Sequence, residues 1–209
     1  MTSKLEQSVI DGDLDTTLAE VRCLIGEGSL PQAIMEEHLV PAMAEVGRLF
    51  EENEYFVPEL LISARAMQEA MKILNPLLAN SGIKKAGRVV IGTVKGDFHD
   101  IGKNLVASML EGGGFEVVDL GVDVSPEKFA EQAKEKPGSI VAMSALLTTT
   151  MTQMSAVIQK LDAEGLRTLT KVIIGGAPVT DEFAKKIGAD GYSDNASAAV
   201  TLAKSLLLK

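Results

Sequence analysis

Two histidines, His38 and His99, and one cysteine, Cys23, are all the imidazole and thiol this chain holds. His99 stands in the stretch Gly96-Asp97-Phe98-His99-Asp100-Ile101-Gly102. Asp97 and His99 are two apart, so in extended backbone their side chains point to one side. A carboxylate behind an imidazole fixes its tautomer and raises its basicity toward a metal. Gly102 then lets the first turn of a following helix approach whatever lies above the loop. With no second histidine or cysteine nearby, the ring does not make a zinc site from side chains alone. It can supply one axial ligand to a metal whose other positions a macrocycle fills. The competing reading is an ordinary surface or structural histidine. His38, among Glu36, Glu37 and Leu39, reads as a solvated or snorkelling helix position.

The elements that must position this stretch change character near residue 85. Only five of the 19 glycines precede Gly87. Upstream, Val57, Leu60, Leu61, Ala64, Met67, Met71, Leu74 and Leu78 recur at helical spacing and predict one apolar stripe. Earlier helices are expected near 3–10, from Asp13 as N-cap to Gly26 or Gly28, and from Pro31 to about Phe50. Pro41 should bend or interrupt the last of these, since its ring removes a donor and clashes one turn back. These four helices predict a bundle over residues 1–84. Methionines 35, 43, 67 and 71 read as core filler. The segment from Asn80 to Ala86 reads as a linker.

From residue 87 to 209 strands and helices alternate. GRVVIGTV is nearly all apolar and β-branched, as in a strand buried on both faces. Further strands are expected at 115–119, 139–143, 171–174 and 190–192, and helices at 101–112, 126–135, 149–164, 180–187 and 195–207. Right-handed crossovers then give a flavodoxin-like, doubly wound α/β domain around a five-stranded parallel sheet of order 2-1-3-4-5. Ligands of such sheets sit at the C-terminal strand ends where the order reverses, which is where His99 falls.

Composition narrows the partners. With 29 acidic and 20 basic residues, the net charge of −9 repels phosphate backbones, and no arginine-rich stripe or aromatic–basic interleaving offsets it. Nucleic acid is therefore not an expected partner. No run of eighteen apolar residues and no basic-then-apolar leader is present, so neither a membrane nor secretion is expected and the reading is cytoplasmic.

Asp97-x-His99-x-x-Gly102 resembles the cobalamin-binding signature of corrinoid proteins that bind the cofactor base-off and His-on. Met143-Ser144-Ala145-Leu146-Leu147-Thr148-Thr149-Thr150 resembles their serine–threonine loop after the third strand. Gly175-Gly176-Ala177 resembles the double glycine after the fourth, and Asn195-Ala196-Ser197 a contact near the last helix. Gly47-Arg48-Leu49-Phe50 followed by Tyr55-Phe56-Val57-Pro58-Glu59-Leu60 is similar to the helical cap of methyl-carrying members. Nearly the full chain is covered, with likeness to the cobalamin-binding region of methionine synthase.

The resemblance implies cobalamin as cofactor and His99 as the cobalt ligand in place of the nucleotide base. It implies contacts from Gly96, Asp97, Phe98, Asp100, Ile101 and Gly102 in the first loop, and from Ser144, Leu146, Thr148 and Thr150 in the second. A slot for the nucleotide tail would be walled by Ser144, Gly175, Gly176 and Ala196. Thr150 would donate to Asp97, where methionine synthases have serine. The relay Asp97–His99–Thr150 would take up a proton when the imidazole leaves the metal and release it on return. Tyr55 and Phe56 either fill the bundle core or, as the resemblance allows, cover the upper corrin face. Glycine turns at Gly175-Gly176 and helix capping by Ser144 and Thr148–Thr150 are the plainer alternatives.

A bundle and one doubly wound domain leave no room for a barrel that binds a methyl donor. The resemblance thus implies a carrier between a substrate:corrinoid methyltransferase and a second methyltransferase, whose acceptor is tetrahydrofolate or a thiol, with a reductive activase as a further partner. Methanol, methylamines, betaine and methoxyaromatics all remain open as donors. Rival readings are the cobalamin subunit of an adenosylcobalamin mutase, a cobalamin-dependent sensor, and a cofactor-free receiver or flavodoxin-like domain. Ser144 stands where a phospho-receiver needs aspartate, and GDFHDIG is not a phosphate-cradling loop.

Overall fold

Apolar alternation in the central strands decides the architecture of the computed structural model, which describes residues 2–79 and 85–207. β1 (Arg88–Thr93), β2 (Glu116–Asp119), β3 (Ile140–Ser144), β4 (Lys171–Gly175) and β5 (Gly191–Tyr192) form one parallel sheet in the order β2-β1-β3-β4-β5. Side chains of successive strand residues point to opposite faces. Val89, Ile91, Ile140, Ala142 and Ile173 accordingly pack with Leu110 of α6 (Ile101–Gly112) and Ala203 and Leu206 of α10 (Ala196–Leu207). Val90, Val141, Met143, Val172 and Ile174 join Phe129 of α7 (Pro126–Glu135) and Met154, Val157 and Leu161 of α8 (Thr152–Ala163). Ala184 of α9 (Asp181–Ile187) belongs to this second face. The strand order and two-faced helical cover expected from the alternating elements are both present.

The chain divides into two compact units near Lys85 and Ala86. The first unit is helical. Ser3 and Glu6 form a capping box on α1 (Lys4–Ile10), and Asp13 caps α2 (Leu14–Gly26) by accepting from Thr16 N at 3.1 Å. Next come α3 (Pro31–Ile34), a π-helical turn over Met35–Leu39, α4 (Val40–Glu51) and α5 (Val57–Ala79). Leu5, Val9, Val21, Leu39, Val46, Leu60, Met67 and Leu74 fill the core between them. Of the expected linker, residues 80–84 lie outside the described residues.

The structure gives three expectations about this unit a finer form. Pro41 interrupts the α-helix without ending it: the chain stays helical from Pro31 to Glu51 by widening one turn, with Val40 N donating to Met35 O five residues back. That register relieves the clash the ring makes with a carbonyl one α-turn before it. His38 is half-buried, and its Nδ1 lies 3.0 Å from Ser3 Oγ, so it is not simply solvated. On α5 the buried face holds Leu60, Ala64, Met67, Leu74 and Leu78, while Val57 and Leu61 are exposed. Leu61 lies one residue past Leu60, about 100° of rotation off that face.

Phe129 is fully buried and stacks directly on the backbone of β1: a Cβ placed on Gly92 would lie 2.9 Å from its ring. Phe129→Ala leaves a void on a strand with no side chain to fill it. The variant is expected to lose about 3–5 kcal/mol of stability, read from urea unfolding followed by circular dichroism.

Candidate functional site

The loops after β1 and β3 leave the sheet side by side, because Thr93 pairs with Ser144 and Ser144 with Gly175 in register at the C-terminal edge. The first loop opens with a tight turn in which Asp97 N donates to Val94 O at 3.1 Å. Gly96 occupies its third position with φ +79°, a region that favours glycine. Asp123 braces the turn: its Oδ1 accepts from Gly96 N at 2.7 Å, and its N–H donates to Asp97 O at 3.0 Å. Asp97 is thereby turned inward and is completely buried.

Its carboxylate gathers five donors. Oδ1 accepts from His99 Nδ1 at 2.8 Å and His99 N at 3.2 Å. Oδ2 accepts from Leu146 N at 2.8 Å, Leu147 N at 3.2 Å and Thr150 Oγ1 at 2.7 Å. Burial works to raise the Asp97 carboxyl. The bonds from the His99 ring, Thr150, and the backbone of Leu146 and His99 outweigh it and hold the group well below the usual carboxylate range. An ionised carboxylate only accepts, so His99 Nδ1 carries the proton and Nε2 presents a lone pair. Nε2 has no hydrogen-bond partner among the described residues, and the side chain is 52% exposed. Among those residues no group of three or more His, Cys, Asp or Glu could hold a metal ion.

Around the ring lies apolar surface: Phe98 is 69% exposed and Ile101 77%, with Leu146 and Leu147 also open. Gly102, in the first turn of α6, faces open space, with nothing within 4 Å of where a Cβ would stand. Asp100 is exposed and takes Asn104 N at 2.7 Å and Asn104 Nδ2 at 3.2 Å. Gly96, Asp97, His99, Leu146 and Thr150 are thus brought together by hydrogen bonds, with Phe98, Asp100, Ile101 and Gly102 on the same short loop and helix start.

The outer candidates stand differently. Ser144 is half-buried and Thr148 exposed. Neither they nor their neighbours cap α8, whose N-cap Met151 makes no side-chain bond. The helix starts at Thr152 and not near 149, because Asp97 takes donors from Leu146, Leu147 and Thr150 and holds that segment as a loop. Gly176, φ +127°, is required by the fold itself: a Cβ there would sit 2.0 Å from Ala145 O. One on Gly175 would sit 3.0 Å from Ser193 O. Ala196 is buried at the start of α10, whose first turn is capped by Asn195 Oδ1 accepting from Ala198 N at 2.8 Å. Phe56, in the helical unit, is 61% exposed, whereas Tyr55 donates to Ile10 O at 3.2 Å.

Sequence reasoning missed Leu147, Asp123 and Thr93. Backbone donors such as Leu147 N leave no mark in sequence. Thr93 does leave one, as the lone hydroxyl in an apolar strand; its Oγ1 donates to His99 O at 2.8 Å.

Two family profiles, each described as a B12 binding domain, match residues 87–201 and residues 2–75. Dimethylamine corrinoid protein 2 of Methanosarcina mazei is 44% identical over 100% of this chain and 97% of its own. Dimethylamine corrinoid protein 3 of Methanosarcina acetivorans is 48% identical over 85% of this chain and 84% of its own. Among solved structures, the methanol:cobalamin methyltransferase complex of Methanosarcina barkeri matches at a TM-score of 0.86 and 31% identity, covering 98% of this chain and 78% of that one.

Replacing Asp97 by asparagine turns an NH2 group toward backbone donors. Asp97→Asn is expected to cost roughly 1–3 kcal/mol at pH 7, measured by urea unfolding. Because the folded carboxyl is depressed, its contribution is complete above the unfolded value of about 3.9. The gap between wild type and variant should therefore close as pH falls below that value, and not as it rises.

Proposed function

The chain belongs to the B12-binding corrinoid proteins, and we propose that within them it carries a methyl group taken from a methylated amine. Bound cobalamin supplies a cobalt ion that accepts and gives up that methyl group. Everything else falls to the residues described above. The observation that carries the reading is the His99 ring, its Nδ1 held on ionised Asp97 while unpartnered Nε2 stands among exposed apolar side chains.

The residues fit the cofactor. His99 Nε2 would hold the cobalt, the one ligand the donor set among the described residues allows, which suits a metal already held in a macrocycle. Phe98, Ile101, Leu146 and Leu147 offer the apolar floor that a corrin ring would cover. The bare Gly102 leaves room beside the first turn of α6. Ser144, Thr148, Gly175 and Gly176 would line the path of the nucleotide tail. For the two glycines this role comes on top of one they already have in the fold; Ala196 contributes backbone alone, its methyl being buried.

Asp97 cannot serve as the place where a proton is stored, since both its oxygens are already engaged by donors and its carboxyl is held ionised. Asp97 instead orients the His99 ring through Nδ1, and Thr150 keeps the carboxylate fixed.

The 44% identity over the full chain to the dimethylamine protein of M. mazei favours an amine donor. We assign as partners a methyltransferase that loads the methyl group from dimethylamine, a second that delivers it to a thiol or tetrahydrofolate, and a reductive activase, all in the cytoplasm. No helix among the described residues is long and apolar enough to cross a membrane.

Purified protein given cobalamin should bind it with the nucleotide base displaced. Asp97→Asn should lower cobalamin affinity roughly 10–100-fold, and His99→Ala should abolish axial nitrogen ligation in the visible spectrum. Reduced holoprotein should be methylated with dimethylamine and its methyltransferase, and not with the methanol enzyme. A protein that takes up no cobalamin ends the reading; methylation by the methanol enzyme alone overturns the choice of donor.

A further inference from the structure

One buried charge near the site has no part in the scheme above. Lys103, on the first turn of α6, is 2% exposed. Its Nζ donates to Asp119 Oδ2 at 2.5 Å and to Asn104 Oδ1 at 2.6 Å. Asp119 is the last residue of β2, an edge strand whose residues are half-buried or exposed, so packing alone holds its end weakly.

Both partners lead back to His99. Through Asn104 the path is short: Asn104 Nδ2 and N donate to Asp100, the residue after His99. Through Asp119 it is longer but continuous. Asp119 Oδ1 accepts from Gly121 N at 2.8 Å, Gly121 O accepts from Thr93 N at 3.0 Å, and Thr93 Oγ1 donates to His99 O at 2.8 Å. One route ends on the His99 carbonyl and the other on the residue that follows it.

Resting on the assignment of His99 as ligand, we infer that Lys103 is a positioning residue: its buried ammonium ties β2 to α6 and so fixes the height and angle of the His99 backbone. A buried ion pair gives little net stability over an apolar pair of the same size. Geometry of the loop, more than stability of the domain, is therefore what this lysine supplies. Asp97 sets the ring's tautomer and rotation; Lys103 sets where its backbone stands.

The test compares wild type with Lys103→Met, Lys103→Arg and Asp119→Asn, each first confirmed as folded by circular dichroism. Protein labelled with 15N-histidine is loaded with cobalamin and reduced to the Co(II) state for electron paramagnetic resonance. The label separates a His99 nitrogen from the cofactor's own base. Wild type and Lys103→Arg should show the splitting of a 15N ligand; Lys103→Met and Asp119→Asn should lose most of it, with weaker cobalamin binding. In cobalamin-free protein, amide exchange over residues 98–104 should rise about tenfold in the same two variants. Should Lys103→Met fail to fold, Asp119→Asn, which leaves the lysine in place, decides alone. Unchanged splitting together with unchanged exchange overturns the inference. Absence of 15N splitting in wild type sinks the ligand assignment instead, and amide exchange then judges the tether by itself.

Discussion

A carboxylate placed where water does not reach must be surrounded by donors or give up its charge. Asp97 meets that constraint with two bonds from His99, two backbone N–H groups from the loop after β3, and the Thr150 hydroxyl. Much of the surrounding architecture follows. The β3 loop stays out of helix because its N–H groups point at this anion. Gly176 is glycine because the next loop must pass within bonding distance of the same segment. Adjacent parallel strands β1 and β3 bring the two loops together, and only the switch in strand order leaves space above them.

On the proposed reading, the same anion also explains why one histidine would suffice. A metal site built from side chains needs several ligands held at fixed distances, and none is assembled among the described residues. One well-oriented imidazole is enough when the remaining coordination positions come with the cofactor, which is the situation in a B12-binding protein. The protein's influence is then exerted through the ring's tautomer, orientation and basicity, all of them set by what lies behind it.

Much of this was legible in sequence because the signals were local or periodic. Apolar strands between amphipathic helices gave the sheet and its order, and the two-residue spacing of Asp97 and His99 gave their contact. What was not legible depends on partners distant in the chain. Nothing in the run Ile101-Gly102-Lys103-Asn104 says that Lys103 turns inward to meet Asp119. Leu146 and Leu147 matter through backbone atoms that every residue possesses. At Pro41 the rule about a lost donor was sound, but a widened turn offered a milder answer than a break. On α5, period alone could not separate Leu60, which packs inside, from Leu61, which faces out.

His99 is tethered by its own N–H to Asp97 and by its carbonyl to Thr93, on a loop issuing from a strand paired along both edges. Its main chain is a fixed pivot, and the imidazole can travel only along the arc that its two side-chain torsions sweep. Rotamer changes of that kind take picoseconds to nanoseconds, whereas shifting a loop or a domain takes far longer. On the proposed reading, any movement of the ring toward or away from a bound metal would be a side-chain motion and would leave the loop where it stands.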